Sequence, residues 1–181
     1  MQKLLLHTCC APCSIAIIDE LKSQFDLSVL FYNPNIFLPE EYDKRKAEVI
    51  KVCQEWNVLM IDQDREAELW HEKVAVGLEN ALEGSERCAL CFRFRMAKAA
   101  EYAAKNGFQY FSTSLTSGRN KPAEVINPIG HEFARYYNIK FYDVDWKRGG
   151  RQEKAKEMID KRSIYRQSYC GCENSMSGKT V

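Results

Sequence analysis

Leu4-Leu5-Leu6-His7-Thr8-Cys9-Cys10-Ala11-Pro12-Cys13 is the stretch on which the fold turns. Three consecutive leucines form the short apolar run of a strand buried on both faces. Pro12 lacks an N–H and has a fixed φ, which suits the first turn of a helix. Ile17, Leu21 and Phe25 then recur every four residues, so a helix is expected over about 12–24. The chain thus opens as strand, loop, helix, and cysteines fill the loop.

The alternation continues downstream. Leu27–Tyr32 reads as a second strand, ended by Asn33-Pro34-Asn35. A helix over 40–56 puts Val49, Cys53 and Trp56 on one face, and Val58–Ile61 reads as a third strand. Residues 64–82 look helical with weak periodicity. Phe92, Met96, Ala99 and Ala103 define a helix closing near Gly107. Phe108–Thr113 is the fourth strand and opens into a polar loop, Ser114 to Lys121. Asn127-Pro128 is expected to cap a helix bearing Ile129, Phe133 and Tyr137. Ile139–Val144 is the fifth strand, and 151–162 a last, basic helix before a cysteine-bearing C-terminal tail. Strands alternating with helices predict βαβ units: an α/β three-layer sandwich with a five-stranded parallel sheet, one domain over 1–181. Sites in such sheets form beyond the carboxyl ends of the strands.

Composition narrows the function classes. The chain has 181 residues, 45% hydrophobic and 28% charged, an ordinary globular balance. No apolar run reaches the roughly 18 residues a membrane span needs, and the apolar N-terminus is too short for a signal peptide. A cytoplasmic location without membrane contact is therefore expected. In a reducing compartment, clustered cysteines point to metal or redox chemistry and away from disulfides. Net charge is +1, unevenly placed: residues 147–166 hold eight Lys or Arg against three Asp or Glu. Such a stretch can meet a phosphate backbone or form a solvated helix face.

Seven of the eight cysteines fall into three clusters: Cys9-Cys10-x-x-Cys13, Cys88-x-x-Cys91 just before a helix, and Cys170-Gly171-Cys172. A Cys-x-x-Cys turn lets two thiolates converge on one metal or cluster. Helix N-termini near Cys13 and Cys91 favour the thiolate. Gly171 permits a tight turn. Adjacent Cys9 and Cys10 are not expected to point at one atom. Cys53 lies on an apolar helix face and reads as a small core hydrophobe. Seven thiols exceed what one four-coordinate zinc needs, and a [4Fe–4S] cluster takes four, leaving three. A thioredoxin-like dithiol needs only two.

Other candidates carry both a functional and a structural reading. His7 ends the first strand and reads as a packed core residue. Asp143 and Asp145 end the fifth strand; as carboxylates they can ligate iron or relay a proton, or serve turn chemistry. Tyr32, Asn33 and Asn35 are candidate substrate contacts. Arg87, Arg93, Arg95 and Lys98 flank the second cysteine pair and can contact phosphate or solvate a helix. No Walker loop, Gly-x-Gly-x-x-Gly or Gly-x-Ser-x-Gly is present.

His7-Thr8-Cys9-Cys10-Ala11-Pro12-Cys13, Tyr32-Asn33-Pro34-Asn35-Ile36, Glu41-Tyr42 with Arg45 and Glu48, Arg87-Cys88 with Cys91, Ser112-Thr113-Ser114-Leu115, and Tyr165-Arg166-Gln167 before Tyr169-Cys170-Gly171-Cys172 resemble the epoxyqueuosine reductase family QueH, in order over nearly the whole chain. The resemblance implies an adenine-nucleotide-hydrolase-like (HUP-like) fold. It also implies removal of the epoxide oxygen of epoxyqueuosine at the tRNA wobble position to give queuosine, the last step of queuosine biosynthesis. The implied cofactors are a [4Fe–4S] cluster and an additional iron ion; the implied partners are tRNA and an external low-potential electron donor. On this reading Cys10, Cys88, Cys91 and Cys170 hold the cluster, while Cys9, Cys13 and Cys172 serve the lone iron. Cys9, Cys13 and Asp143 are the catalytic candidates. The basic 147–166 segment holds the tRNA backbone, and Tyr165, Tyr169 or Tyr32 stacks on the base. Two rival readings are a tRNA-thiolating enzyme of related fold, which would need a pyrophosphate loop after the first strand, and a zinc-binding RNA-interaction module.

Overall fold

In a computed structural model, residues 1–176 are described. β1 (Lys3–Thr8) is flanked by β2 (Asp26–Phe31) and β4 (Tyr110–Thr113); β3 (Leu59–Asp62) and β5 (Lys140–Phe141) lie outermost. All pairings are parallel, in the order β3-β2-β1-β4-β5. The five-stranded parallel sandwich is therefore as expected.

The leucine run shows how the layers form. Successive side chains of a strand face opposite sides. Leu4 and Leu6 enter one core with Ile15 and Ile18 of α1 (Ala11–Leu21), Val49 of α2 (Pro39–Glu55) and Ile159 of α6 (Arg151–Arg162). Leu5 enters the other, with Phe92 and Met96 of α4 (Glu86–Lys105) and Ile126 and Ile129 of α5 (Ala123–Tyr137). Cys53 is buried in the first core, as its helical position predicts, and burial pushes its thiol up to about 12.

Four elements depart from expectation. Residues 64–82 are not one helix: α3 (Ala67–Trp70) runs into a single π-helical turn, His71–Ala75, and Gly77 at φ +82° ends it. Cys88 and Cys91 do not precede a helix but sit in the first two turns of α4. Pro128 does not cap α5; that helix starts after Pro122 and carries Pro128 inside it. Near a helix start, a missing N–H forfeits only one ladder bond. β5 is reduced to two residues; beyond them Tyr142 N–H still bonds Phe111 O, and the chain then leaves the sheet. Among the described residues no helix is long and apolar enough to cross a membrane.

In this strand order the chain steps from β1 to β2 on one side and returns to β4 on the other. The crevice beyond the carboxyl ends of β1 and β4 is the topological switch point, where open parallel sheets place their sites.

Candidate metal centre at the switch point

The β1–α1 loop lies in this crevice. Cys10 is the N-cap residue of α1 and Cys13 stands in its first turn. The sulfurs of Cys9, Cys10 and Cys13 all lie within 4.8 Å of one another, with Cys9 and Cys10 at 3.6 Å. Adjacent cysteines were expected to diverge, and this corrects that reading. The helix start bends the chain between extended Cys10 (φ −173°) and helical Ala11, and so turns both sulfurs to one side. A metal–sulfur bond near 2.3 Å puts tetrahedral ligand sulfurs roughly 3.8 Å apart, so the Cys9–Cys10 separation matches one edge of a single-ion site, with Cys13 within 4.8 Å of both.

The loop after β4 braces this group. Cys9 N–H donates to Ser114 Oγ at 3.4 Å, and Ser117 Oγ donates to the Cys13 carbonyl at 2.9 Å. Hydrogen bonds from Cys10 and Cys13 hold the Cys9 thiol well below its ordinary value, while burial holds Cys10 up. Gln167 Nε2 reaches Cys10 Sγ at 2.8 Å from the C-terminal segment.

That segment is locked by a buried arginine. Arg45 donates to Glu41 Oε1 (2.7 Å), to the Cys170 carbonyl (2.7 Å) and to the Tyr169 carbonyl (3.2 Å); Tyr165 OH donates to Glu41 Oε2 at 2.8 Å. Gly171 has φ +117°, and a Cβ there would stand 3.1 Å from Arg45 Nη1. Glycine is therefore required for the turn between Cys170 and Cys172, as the sequence predicts. Cys170 lines the same cleft as Cys9 and Cys13, a cavity of about 1300 Å³. Cys172 instead packs with Cys91, Trp70, Val74 and Ala75. A hydrogen bond from Cys172 and the charges of Lys121 and Arg95 bring the Cys170 thiol down to about 5 against the opposing effect of burial. Cys88 and Cys91 are both raised by burial, and Cys170 acts electrostatically on each. The loop before α4 is held over Cys88 by Arg87, which donates to Leu78 O and Ala81 O at 2.7 and 2.6 Å.

The other candidates distribute differently. His7 is buried, with Nδ1 at 3.0 Å from Thr113 Oγ1 and Nε2 at 3.0 Å from Tyr32 O. Burial, aided by the Arg95 charge, lowers it to about 3, so it is a neutral hydrogen-bonding core residue. Asp143 is not brought to the cysteines: it pairs with His131 Nε2 at 3.0 Å and is not among the residues lining the cleft. Asp145 serves the turn, accepting from Lys147 N–H and Arg148. Asn33 is tied up internally, accepting from Arg95 Nη2 at 2.5 Å and donating to the Thr8 carbonyl at 3.0 Å. Tyr32 OH donates to Glu66 at 2.6 Å, Arg93 pairs with Glu132, and Lys98 with Glu66. Arg87 and Arg95 are buried rather than solvating a helix or meeting phosphate. In the basic segment, Arg148, Arg151, Lys154 and Arg162 pair with Asp145, Glu20, Asp19 and Glu55. Sequence reasoning assigned no role to Lys121, a loop lysine that lines the cleft and feels Cys170, Cys9 and Cys13. No local pattern marks it.

The surroundings suit a sulfur-rich anionic group. Trp70 packs on Cys91 and Cys172 and turns its indole N–H toward the Cys91 sulfur, and Arg95 Nε is a buried donor without an acceptor. Soft thiolates in this number are the ligands iron–sulfur sites take.

The chain is an all-parallel α/β sandwich of the expected adenine-nucleotide-hydrolase-like fold, with a cluster of cysteines at its switch point. A solved structure described as a predicted subunit of tRNA methyltransferase from Methanocaldococcus jannaschii shares the fold, with TM-score 0.57 at 9% identity over 89% of this chain and 76% of that one. Residues 4–178 match the profile of the epoxyqueuosine reductase QueH family. An epoxyqueuosine reductase QueH of Acinetobacter baylyi is 42% identical over 96% of this chain and 80% of its own length; that of Histophilus somni is 39% identical over 96% and 72%. The chain belongs to the epoxyqueuosine reductase QueH family, as its cysteine motifs predict. The thiolase and zinc-module readings are not favoured.

Proposed function

We propose that this chain, acting as one domain, removes the epoxide oxygen of epoxyqueuosine in tRNA at the cysteine-lined cleft. Two electrons and two protons convert the epoxide to alkene and water, with a one-electron carrier outside the chain as reductant. The observation that carries this reading is the convergence of Cys9, Cys10 and Cys13 on a cleft that Cys170 also lines. Cytoplasmic work on tRNA accords with the family and the reduced thiols.

The close spacing of Cys9, Cys10 and Cys13 and the packing of Cys172 against Cys91 favour a partition by segment, which exchanges Cys10 for Cys172 in the cluster set expected from the resemblance. Cys9, Cys10 and Cys13, close enough for one ion, would hold the additional iron. Cys88, Cys91, Cys170 and Cys172 would supply the four thiolates of a [4Fe–4S] cluster. Such a centre supplies single electrons and a Lewis acid for the epoxide oxygen. The chain's residues do the rest. Arg45 and Glu41 hold Tyr169 and Cys170 at the cleft. Lys121 presents positive charge in the cleft beside Cys9, Cys13 and Cys170 and would favour negative charge developing there. Tyr169 lines the cleft as a surface for a base splayed from the single-stranded anticodon loop. Arg119, Lys156 and Arg166 line its mouth as phosphate contacts.

The test is anaerobic reduction of epoxyqueuosine-containing tRNA with a chemical reductant, read by nucleoside mass spectrometry, alongside iron analysis. Conversion by brown protein carrying about five irons is expected. Colourless protein with one zinc, or iron-replete protein without conversion, overturns the proposal.

A further inference from the structure

Arg95 is 1% exposed, one helical turn beyond Cys91 on α4. Its Nη2 donates to Asn33 Oδ1, whose amide in turn holds the carbonyl of Thr8, the residue before Cys9. The guanidinium thus bridges α4, which carries the second cysteine pair, to the end of β1, which carries the first group. Its Nε is buried without an acceptor. Among the described residues it makes no ion pair with a carboxylate, whereas the equally buried Arg45 does.

This is costly in isolation. A guanidinium does not deprotonate in a protein, and a buried unpaired charge is strongly destabilising. Some anion must offset it. The ionisable groups on which its charge acts include the thiols of Cys9, Cys91 and Cys170, which come from all three cysteine segments. Among its other neighbours, His7 and Tyr32 are neutral and Lys121 is cationic.

We propose that Arg95 is the internal counter-ion of the metal–thiolate centre, a positioning residue that joins its two halves and raises its reduction potential. The inference rests on the iron–sulfur reading above. A fixed positive charge stabilises the more negative, reduced state of the centre, so a weaker donor suffices to load it. Burial, aided by the Arg95 charge, keeps His7 neutral, so His7 does not duplicate the charge. Arg87 is likewise buried without a carboxylate partner among the described residues, but it donates to two loop carbonyls and its charge acts on Cys88, whereas the Arg95 charge acts on thiols from all three cysteine segments.

The experiment is an anaerobic potentiometric titration of the iron-loaded protein, followed by electron paramagnetic resonance, for the wild type, Arg95→Gln and Arg95→Lys. Arg95→Gln is expected to shift the reduction equilibrium at least tenfold toward the oxidised form, a fall of 59 mV for one electron. Arg95→Lys keeps the charge and is expected to stay within threefold of the wild type. An iron-replete Arg95→Gln protein with an unchanged potential overturns the proposal, as does Arg95→Lys shifting tenfold. If Arg95→Gln does not accumulate, the Arg95→Lys potential decides alone, by the same limits. Wild-type protein that carries no iron would instead sink the iron–sulfur reading itself, so the two failures are distinguishable.

Discussion

Arg119, Lys156 and Arg166 line the cleft, are exposed, and have no acidic partner among the described residues. Arg151, Lys154 and Arg162, which share the 147–166 segment with Lys156 and Arg166, are spent on carboxylates that dock α6 against α1 and α2. Charge counting along the sequence treats both sets alike, but only the first has charge left for phosphate. Each neutralised phosphate of a single strand contributes about 0.7 to the slope of log K against log salt. Replacing all three free cations by Ala should therefore reduce the slope by about 2. Over a fourfold rise in salt, from 50 to 200 mM, the wild type should lose roughly 20-fold more affinity than the triple variant. Each single replacement should account for about 2.5-fold of this. The assay is fluorescence anisotropy of labelled epoxyqueuosine-containing tRNA across a salt series. Arg162→Ala serves as the control: it should leave the slope intact while weakening α6. A triple variant with the wild-type slope, or an Arg162→Ala variant that lowers it as much, refutes the division into free and committed cations.

Other consequences are open to direct measurement. Cys53→Ala should leave iron per chain unchanged and cost about 1 kcal/mol in chemical denaturation, because Cys53 is buried in the first core and does not line the cysteine cleft; loss of iron would contradict its placement there. Gly171→Ala should strain the backbone at φ +117° by about 1–3 kcal/mol and press on Arg45, so chelators should strip iron faster than from the wild type; an unchanged release rate would show that the turn is not needed. The Arg151 bond and charge hold Glu20 below its ordinary value of 4.5, and Lys154 and Lys22 together outweigh burial to hold Asp19 down. Their folded-state values are depressed, so their stabilisation of α6 is complete above about pH 4.5 and is lost as pH falls through the folded values. It is worth at most about 1 kcal/mol per pair. Hydrogen exchange in α6, corrected for intrinsic rates, should accelerate on going from about pH 6 to 3, and flat protection would oppose this.

What could be read from the sequence follows from how each residue acts. The leucines of β1 and the four-residue spacing in α1 act through local periodicity, so strand, helix and sheet class were legible. The cysteines act through their chemistry, which announces itself wherever they cluster, and Gly171 acts through a freedom that only glycine has. Residues 64–82 misled because weak periodicity conceals where a helix stops; the left-handed Glu66 and Gly77 set those limits, and neither is marked by its neighbours. Pro128 misled because a proline's meaning depends on its distance from the helix start, which Pro122 sets. Asp143 was judged by its place at a strand end, but its partner is His131, on the preceding helix. Arg95 is the sharpest case. Its neighbours in sequence read as a solvated helix face, and its partner Asn33 is 62 positions away. Only the fold brings the two together, and the lack of a carboxylate partner for this buried guanidinium among the described residues is what leads to the cysteine sulfurs as its proposed counter-charge. Ligand type can be read along a chain; the counter-charge that sets a ligand's potential has to be read across it.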